Sequence, residues 1–128
     1  MSLVKVSWVI ASEHPEKLAM FYSFVIDGEI NPSLSNASYC LVQKGNIQIQ
    51  IYLPSKNRQL LPKGGSTAVC FQKPPSANPL LTLSRWGALL LDQGASFVEA
   101  PLAQSFGAEA WLSDPDGNLF IAFVPLKS

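Results

Sequence analysis

Hydrophobic and polar positions alternate along the chain in a pattern that predicts the same series of elements twice. In the first half, "LVKVSWVIA" (3–11) alternates and is rich in β-formers, which predicts a strand. "SEHPEKLAMFYSFVIDGE" then carries an apolar stripe at helical spacing, with His14 as cap, Pro15 at the first helical position and Gly28 as terminator. Further strands of this half are predicted at 29–33, 37–43 and 46–53, the last two joined at Lys44-Gly45.

The second half repeats this order of elements. "STAVCFQ" (66–72) predicts a strand, and residues 78–94 predict a helix that begins with Asn78 as cap and Pro79 at its first position. Gly94 is typical of a helix terminator. Three more strands are predicted at 95–100, 108–113 and 118–124.

Two short motifs support an internal repeat. The cap-proline pairs His14-Pro15 and Asn78-Pro79 lie 64 residues apart, which is half the chain length. "GNIQIQIYLP" (45–54) and "GNLFIAFVP" (117–125) also look like copies of one element. The sequence therefore predicts two βαβββ modules, at about 1–54 and 66–128, joined by a polar linker at 55–65.

Composition narrows the possible partners. The 128 residues are 48% hydrophobic, enough for one domain with a core, and the nine basic and nine acidic residues balance. No charge excess suggests nucleic acid or a membrane surface, no apolar run is long enough to span a bilayer, and no secretory signal is present, so we expect a cytoplasmic protein. Charged residues make up only 14%, which favours surface covered by a ligand or a partner. Cys40 and Cys70 lie in apolar strand-like stretches and are expected to be buried free thiols.

The stretch "DPDGN" (114–118) allows a metal loop or a turn. A calcium loop that opens at Asp114 needs glycine at its sixth position and an acid at its twelfth, and Leu119 and Pro125 stand there. A hairpin turn fits better, because Pro115 presets φ and Gly117 tolerates a positive φ. We therefore expect a turn and no catalytic role for its carboxylates.

Taken together, "EHPEKLAMFYSFVIDG", "EAWLSDPDGNLFIAF" and the two βαβββ halves resemble the vicinal oxygen chelate superfamily, which includes glyoxalases, extradiol dioxygenases and bleomycin-resistance proteins. The resemblance covers nearly the whole chain. It implies an α+β fold in which the two βαβββ modules form an eight-stranded cupped mixed sheet, with helices on the convex face and a ligand cavity on the concave face. It also implies, with the low charge content, a homodimer.

Enzymes of that superfamily hold a divalent metal through His, Gln or Glu side chains at four positions, which can be compared with this chain. The first falls on Ser7, the second on Ile49 or Gln50 according to the register of the strand, and the fourth on Ile121. The third falls on Ser66 or Thr67. Carboxylate or imidazole ligands are missing from all four, and the one histidine, His14, is expected at a helix start, so we expect neither a metal nor another cofactor.

Periodicity favours the register in which Gln50 faces the cup. Ile47, Ile49 and Ile51 share one face and suit the helix-covered side. The same alternation points Leu119, Ile121 and Phe123 into the cup. The candidate ligand-binding residues are Ser7, Val9, Gln48, Gln50, Tyr52, Phe106, Trp111, Ile121 and Phe123.

Several of these positions have a second interpretation. Gln48 and Gln50 could also lie on an exposed strand face. Trp111 could also pack under the helices. Trp8 and Trp86 are expected in the core there. The segment 101–107, with Gln104 and Phe106, fits either a lid over the cup or a surface loop.

Three functions follow from the resemblance and the residues. The first is a metal-free protein that binds a small, largely apolar or aromatic molecule in the cup, oriented by Gln50, Gln48 or Ser7. The second is a metal-dependent lyase, isomerase or dioxygenase of the glyoxalase type. The third is a degenerate fold that serves only as a dimeric scaffold.

Overall fold

The computed structural model of the chain describes residues 4–59 and 67–128 and divides the chain into two compact units, Met1–Pro62 and Lys63–Ser128. The described part of the first unit is module 1 and that of the second is module 2. Module 1 contains β1 (Trp8–Ala11), α1 (Pro15–Val25), β2 (Glu29–Ile30), β3 (Tyr39–Lys44) and β4 (Ile47–Tyr52). Module 2 contains β5 (Val69–Gln72), α2 (Pro79–Asp92), β6 (Ser96–Gln104), β7 (Gly107–Ser113) and β8 (Leu119–Pro125). The predicted α+β fold of two βαβββ modules is confirmed, whereas Ser66 and part of the predicted linker lie outside the described residues.

Each module builds one four-stranded mixed sheet. In sheet 1 the strand order is β1-β4-β3-β2, with β1 parallel to β4 and the other pairs antiparallel. In sheet 2 the order is β5-β8-β7-β6, with β5 parallel to β8. The first strand of each module thus lies beside the last, which a helical connection between parallel strands permits.

The core of module 1 lies between α1 and one face of sheet 1. Leu18, Phe21 and Tyr22 project from the helix and are at most 2% exposed, while Ile49 and Ile51 of β4 are 1% and 0% exposed. Burial of each such side chain contributes about 1.5–3 kcal/mol. Trp8 is half-buried and meets Tyr22 edge to face, with ring centroids 5.1 Å apart. Packing under the helix, as predicted for Trp8, is confirmed.

Module 2 has the equivalent core between α2 and sheet 2. Leu83, Trp86 and Leu90 of the helix are buried, as are Phe120 and Val124 of β8. The prediction of a core position for Trp86 is confirmed, and Lys73 Nζ lies 4.9 Å from the centroid of its ring.

Both helices begin with the same hydrogen-bonded corner. Ser12 Oγ accepts from the backbone N–H of His14, and Ser76 Oγ accepts from that of Asn78, at 2.9 and 3.0 Å. Asn78 also caps α2 through its Oδ1, as predicted, whereas the side chain of His14 makes no cap hydrogen bond and occupies only the cap position. Within the described residues, neither helix is long and apolar enough to cross a membrane.

The end of α1 differs from the prediction. The residue with a positive φ is Asp27, at +52°, and not Gly28. Gly28 is needed for another reason, since a Cβ at this position would lie 2.7 Å from the carbonyl oxygen of Gln43. Gly94 has φ +110° and ends α2 as predicted.

Strand β6 is longer than predicted and forms one edge of sheet 2. It continues through 101–104 and turns back into β7 at Ser105-Phe106, so the surface loop predicted at 101–107 is wrong and the segment is part of a β-hairpin. The lid remains a prediction. Its pairing with β7 shifts register between Phe97 and Glu99 and again between Glu99 and Leu102. Pro101, which has no N–H to donate, lies inside this irregular stretch.

Candidate functional site

The face of sheet 1 opposite α1, called face 1, carries the polar residues of module 1. Ile49 and Ile51 are buried on the helix side, so Gln48, Gln50 and Tyr52 project from the other side. This confirms the register in which Gln50, and not Ile49, is on the helix-free face. The strand pairs, together with the hydrogen bond from Gln50 to Ser7, assign to face 1 the residues Ser7, Val9, Ala11, Tyr39, Leu41, Gln43, Gln48, Gln50 and Tyr52.

A hydrogen-bonded network occupies the middle of face 1. The Tyr39 hydroxyl donates to Gln50 Oε1 at 3.1 Å, and Gln50 Nε2 donates to Ser7 Oγ at 2.9 Å. Gln50 is thereby fixed from both ends, and its strand neighbours are Val9 on β1 and Leu41 on β3. Face 1 thus combines a few oriented polar groups with apolar neighbours, an arrangement typical of small-molecule sites.

A cation lies at one end of the same face. Arg58 is held in a turn in which the backbone groups of Ser55 and Arg58 bond to each other, and its guanidinium carbon lies 5.5 Å from the centre of the Tyr52 ring. The Tyr52 hydroxyl in turn donates to the carbonyl oxygen of Gln59 at 3.4 Å. The segment after β4 therefore places a positive charge beside face 1.

The face of sheet 2 opposite α2, called face 2, is mostly apolar. Ala108, Ala110 and Leu112 of β7 are buried on the helix side, so Glu109 and Trp111 project from face 2. Trp111 was predicted either to line the cup or to pack under the helices, and its side chain is on the face that carries no helix. Pairing and alternation assign to face 2 the residues Cys70, Gln72, Glu109, Trp111, Leu119, Ile121 and Phe123.

Phe106 lies at the tip of the β6–β7 hairpin, next to face 2. Its side chain is 56% exposed, and its ring centroid is 5.8 Å from that of Phe123. Of the predicted ligand-binding residues, Ser7, Val9, Gln48, Gln50 and Tyr52 are therefore together on face 1, and Trp111, Ile121, Phe123 and Phe106 are on or beside face 2.

The residues at the four metal-ligand positions of the superfamily do not fit a divalent metal. Gln50 and Ile121 correspond when the two motifs are aligned on Pro54 and Pro125, and both are on helix-free faces. In the same alignment Ile49 corresponds to Phe120, and their partners on the neighbouring strands, Trp8 and Val69, therefore also correspond. The residue before each partner is Ser7 in module 1 and Ala68 in module 2. The third position thus falls on Ala68, which corrects the expected Ser66 or Thr67. A hydroxyl, an amide and two aliphatic side chains provide no carboxylate or imidazole ligand. Over residues 4–59 and 67–128, no three His, Cys, Asp or Glu side chains form a group able to hold a metal ion.

The DPDGN carboxylate has a structural role. Asp114 is 3% exposed, and its Oδ1 accepts from the backbone N–H groups of Asp116 and Asn118, both at 2.9 Å. Its Oδ2 accepts from Asn118 Nδ2, also at 2.9 Å. Gly117 has φ +88° and donates its N–H to the Asp114 carbonyl oxygen. The predicted turn is confirmed. The buried Asp114 carboxylate holds this loop between β7 and β8 together.

The two cysteines have different environments. Cys40 is buried as predicted, but the prediction for Cys70 is wrong, since β5 is an edge strand and leaves the side chain exposed on face 2. Loss of hydration around the sulfur raises the pKa of both thiols, and a carboxylate adds to the effect, Glu16 for Cys40 and Glu109 for Cys70. Neither environment favours a thiolate nucleophile.

Thiol labelling is expected to distinguish these cysteines. In the native protein, iodoacetamide should label Cys70 and leave Cys40 unmodified until urea unfolds the chain. Because the pKa of Cys70 is raised, the pH at which its labelling rate is half of the maximum should lie above about 8.5, the value of an ordinary thiol. Mass spectrometry of peptides from timed samples measures both rates. Equal labelling of the two cysteines in the native state would contradict the enclosed position of Cys40.

Sequence reasoning missed Tyr39, which bonds to Gln50 on face 1, and Arg58, which lies beside that face. On β3, Tyr39 is two residues from Leu41, which pairs with Gln50. That register is set by the two-residue turn Gly45-Asn46, which joins the paired residues Lys44 and Ile47. Counting back from that turn would have identified Tyr39. Arg58 had no such signal, because it lies in the polar stretch interpreted only as a linker.

Two βαβββ modules with this strand order define the fold of the vicinal oxygen chelate superfamily, and solved structures of that fold match the chain over nearly its full length. A glyoxalase/bleomycin resistance protein/dioxygenase family enzyme from Burkholderia phytofirmans PsJN has a TM-score of 0.79 and 18% identity, with 96% of this chain and 100% of the other covered. Fosfomycin resistance protein FosX from Mesorhizobium loti has a TM-score of 0.71 and 13% identity, covering 97% and 93%. Lactoylglutathione lyase from Agrobacterium tumefaciens has a TM-score of 0.60 and 12% identity, covering 96% and 94%.

At these identities the likeness shows the fold alone. No protein-family model matches the chain, and no curated protein matches it. The similar structures include a resistance protein and a lyase, so the fold does not select one activity. The function must be argued from the side chains of face 1 and face 2.

Proposed function

We propose that this protein binds a small, largely apolar or aromatic molecule and does so without a metal. The observation that carries the proposal is the Tyr39–Gln50–Ser7 network on face 1, in which an amide in mid-sheet is fixed at both ends and flanked by apolar side chains. Buried or half-buried polar groups arranged in this way orient a ligand, while the apolar neighbours supply binding energy.

The apolar contribution on face 1 comes from side chains beside the network. Val9 is 52% exposed and adjoins Gln50, and Ala11 and Tyr52 continue the surface along the sheet. Covering apolar surface contributes about 25 cal/mol per Å². Face 2, with Trp111, Ile121 and Phe123, suits a ligand of the same class.

The metal-free part of the proposal rests on donor chemistry. Divalent metals in enzymes of this kind are held mainly by carboxylate and imidazole ligands, and the four positions offer neither. Ser7 has a hydroxyl, Gln50 a neutral amide, and Ala68 and Ile121 have no donor atom. Arg58, a cation beside face 1, opposes the binding of another cation. A homodimer and a cytoplasmic location remain predictions.

Replacement of Gln50 by leucine is expected to weaken ligand binding by about fivefold to thirtyfold, the effect of one or two lost hydrogen bonds. Compounds with aromatic rings or oxo-acid groups would first be screened by the rise in melting temperature that a ligand of the folded state produces. Isothermal titration of each hit then compares the wild type with Q50L. The matched control is Gln93→Leu, at the exposed C-terminal cap of α2, which should bind like the wild type.

Two results would contradict the proposal. If purified protein retained zinc, nickel, manganese or iron at one ion per chain, the metal-free site would be wrong and a lyase or dioxygenase activity would be favoured. If no compound of a broad screen raised the melting temperature, the dimeric scaffold would be favoured instead.

A further inference from the structure

The hydrogen bonds of face 1 have a direction that limits what a ligand can offer. The proton of Tyr39 is given to Gln50 Oε1, and one proton of Gln50 Nε2 is given to Ser7 Oγ. Because Ser7 Oγ accepts here, its own hydroxyl proton remains to be donated, as does the second proton of Gln50 Nε2. Successive donations polarise one another and make the terminal Ser7 hydroxyl a better donor. The middle of face 1 therefore presents two donors to a ligand.

The charges around face 1 favour the same kind of group. Arg58 lies over the Tyr52 ring, and Tyr52 is two residues along β4 from Gln50, a separation of about 7 Å. In the described residues Arg58 forms no ion pair with a carboxylate; the ion pair found there joins Lys44 to Asp27. Strand pairing places one acid on face 1, Glu29 of β2, which is two strands from β4, or about 10 Å, and three strands from β1, or about 14 Å.

From these two observations we infer that the molecule bound on face 1 carries a carboxylate attached to its apolar or aromatic body. The inference rests on the proposed function. The carboxylate accepts hydrogen bonds from the Ser7 hydroxyl and Gln50 Nε2, and Arg58 supplies the compensating charge. Val9 and the other apolar side chains of face 1 contact the body of the ligand. A cationic ligand meets hydrogen-bond donors and a positive charge, so the same groups weaken its binding.

The test compares three probes that share one ring system: 1-naphthoate, 1-naphthaldehyde and 1-naphthylmethylammonium. Binding to the wild type at neutral pH is followed by amide chemical shifts in two-dimensional NMR, which also report that each variant is folded. Naphthoate is expected to bind about tenfold or more tighter than the ammonium probe, with the aldehyde between them, because hydrogen bonds to a charged group are the stronger ones. The shifts should be concentrated in β1, β3 and β4.

Variants then separate the roles of the charge and the hydroxyl. Arg58→Gln should weaken naphthoate binding about tenfold and leave the aldehyde within about twofold, while Arg58→Lys should retain most of the preference for the acid. Ser7→Ala should weaken both the acid and the aldehyde. Arg85→Gln, an exposed arginine on α2, is the matched control and should change nothing.

Equal affinity of the three probes, or naphthoate binding that is unchanged in Arg58→Gln, would overturn the carboxylate inference and leave the proposed function standing. If none of the three probes bound, and no other compound raised the melting temperature, the proposed function itself would fail and this inference with it.

Discussion

Replacement of Ile49 by aspartate is expected to destabilise module 1 by about 4 kcal/mol or more, a large part of the stability of a small domain. Ile49 is 1% exposed and lies between β4 and α1, so a carboxylate there has neither water nor a partner. Urea unfolding followed by far-ultraviolet circular dichroism measures the change. Because I49D can unfold the chain completely, Ile49→Ala provides a milder measurement, with an expected loss of about 3 kcal/mol.

The matched control is the next residue. Gln50→Asp adds the same charge on face 1, where water reaches the side chain, and should cost no more than about 1 kcal/mol beyond the lost hydrogen bonds. The contrast between neighbours tests the strand register on which the site depends. Similar losses at the two positions, or a greater loss at Gln50, would mean that the assignment of face 1 is wrong.

Loss of the Asp114 carboxylate should produce the second large effect, a destabilisation of about 3 kcal/mol in Asp114→Ala. The substitution removes the acceptor of two backbone N–H groups and one amide N–H, and leaves these donors in a buried turn. The same urea titration, fitted for the midpoint and for the slope, gives the change in free energy of unfolding.

Two further variants define the origin of that effect. Asp114→Asn keeps one carbonyl acceptor for the backbone and should lose about half as much, whereas Glu13→Ala removes an exposed carboxylate elsewhere and should lose almost nothing. A tolerated Asp114→Ala would contradict the organising role of this carboxylate in the turn.

The order of elements and the register of β4 could be read from the sequence because they depend on local patterns. Ile47, Ile49 and Ile51 alternate with polar residues, and only one face of a strand beside a helix has to be apolar. The cap-proline pairs identified both helix starts for the same reason, since Pro15 and Pro79 fit only the first turn.

The remaining features depend on contacts between distant residues. Ser7 and Gln50 are 43 positions apart, and nothing local indicates that their side chains bond. Cys70 was expected to be buried because its neighbours are apolar, but strand order, which the pattern does not contain, makes β5 an edge. The strand predicted at 95–100 stops before Pro101, whereas β6 continues through this proline, because an edge strand accepts it with a shift in register.

The irregular course of β6 bears on how the protein behaves when crowded. An extended peptide seeking a regular ladder along this edge would meet a missing amide proton at Pro101 and two breaks in spacing within nine residues. Natural sheets use such interruptions to prevent their edge strands from pairing with those of other molecules. Straightening β6, by removal of the proline together with the bulges, would create a template for aggregation on a protein whose charge repulsion is already weak.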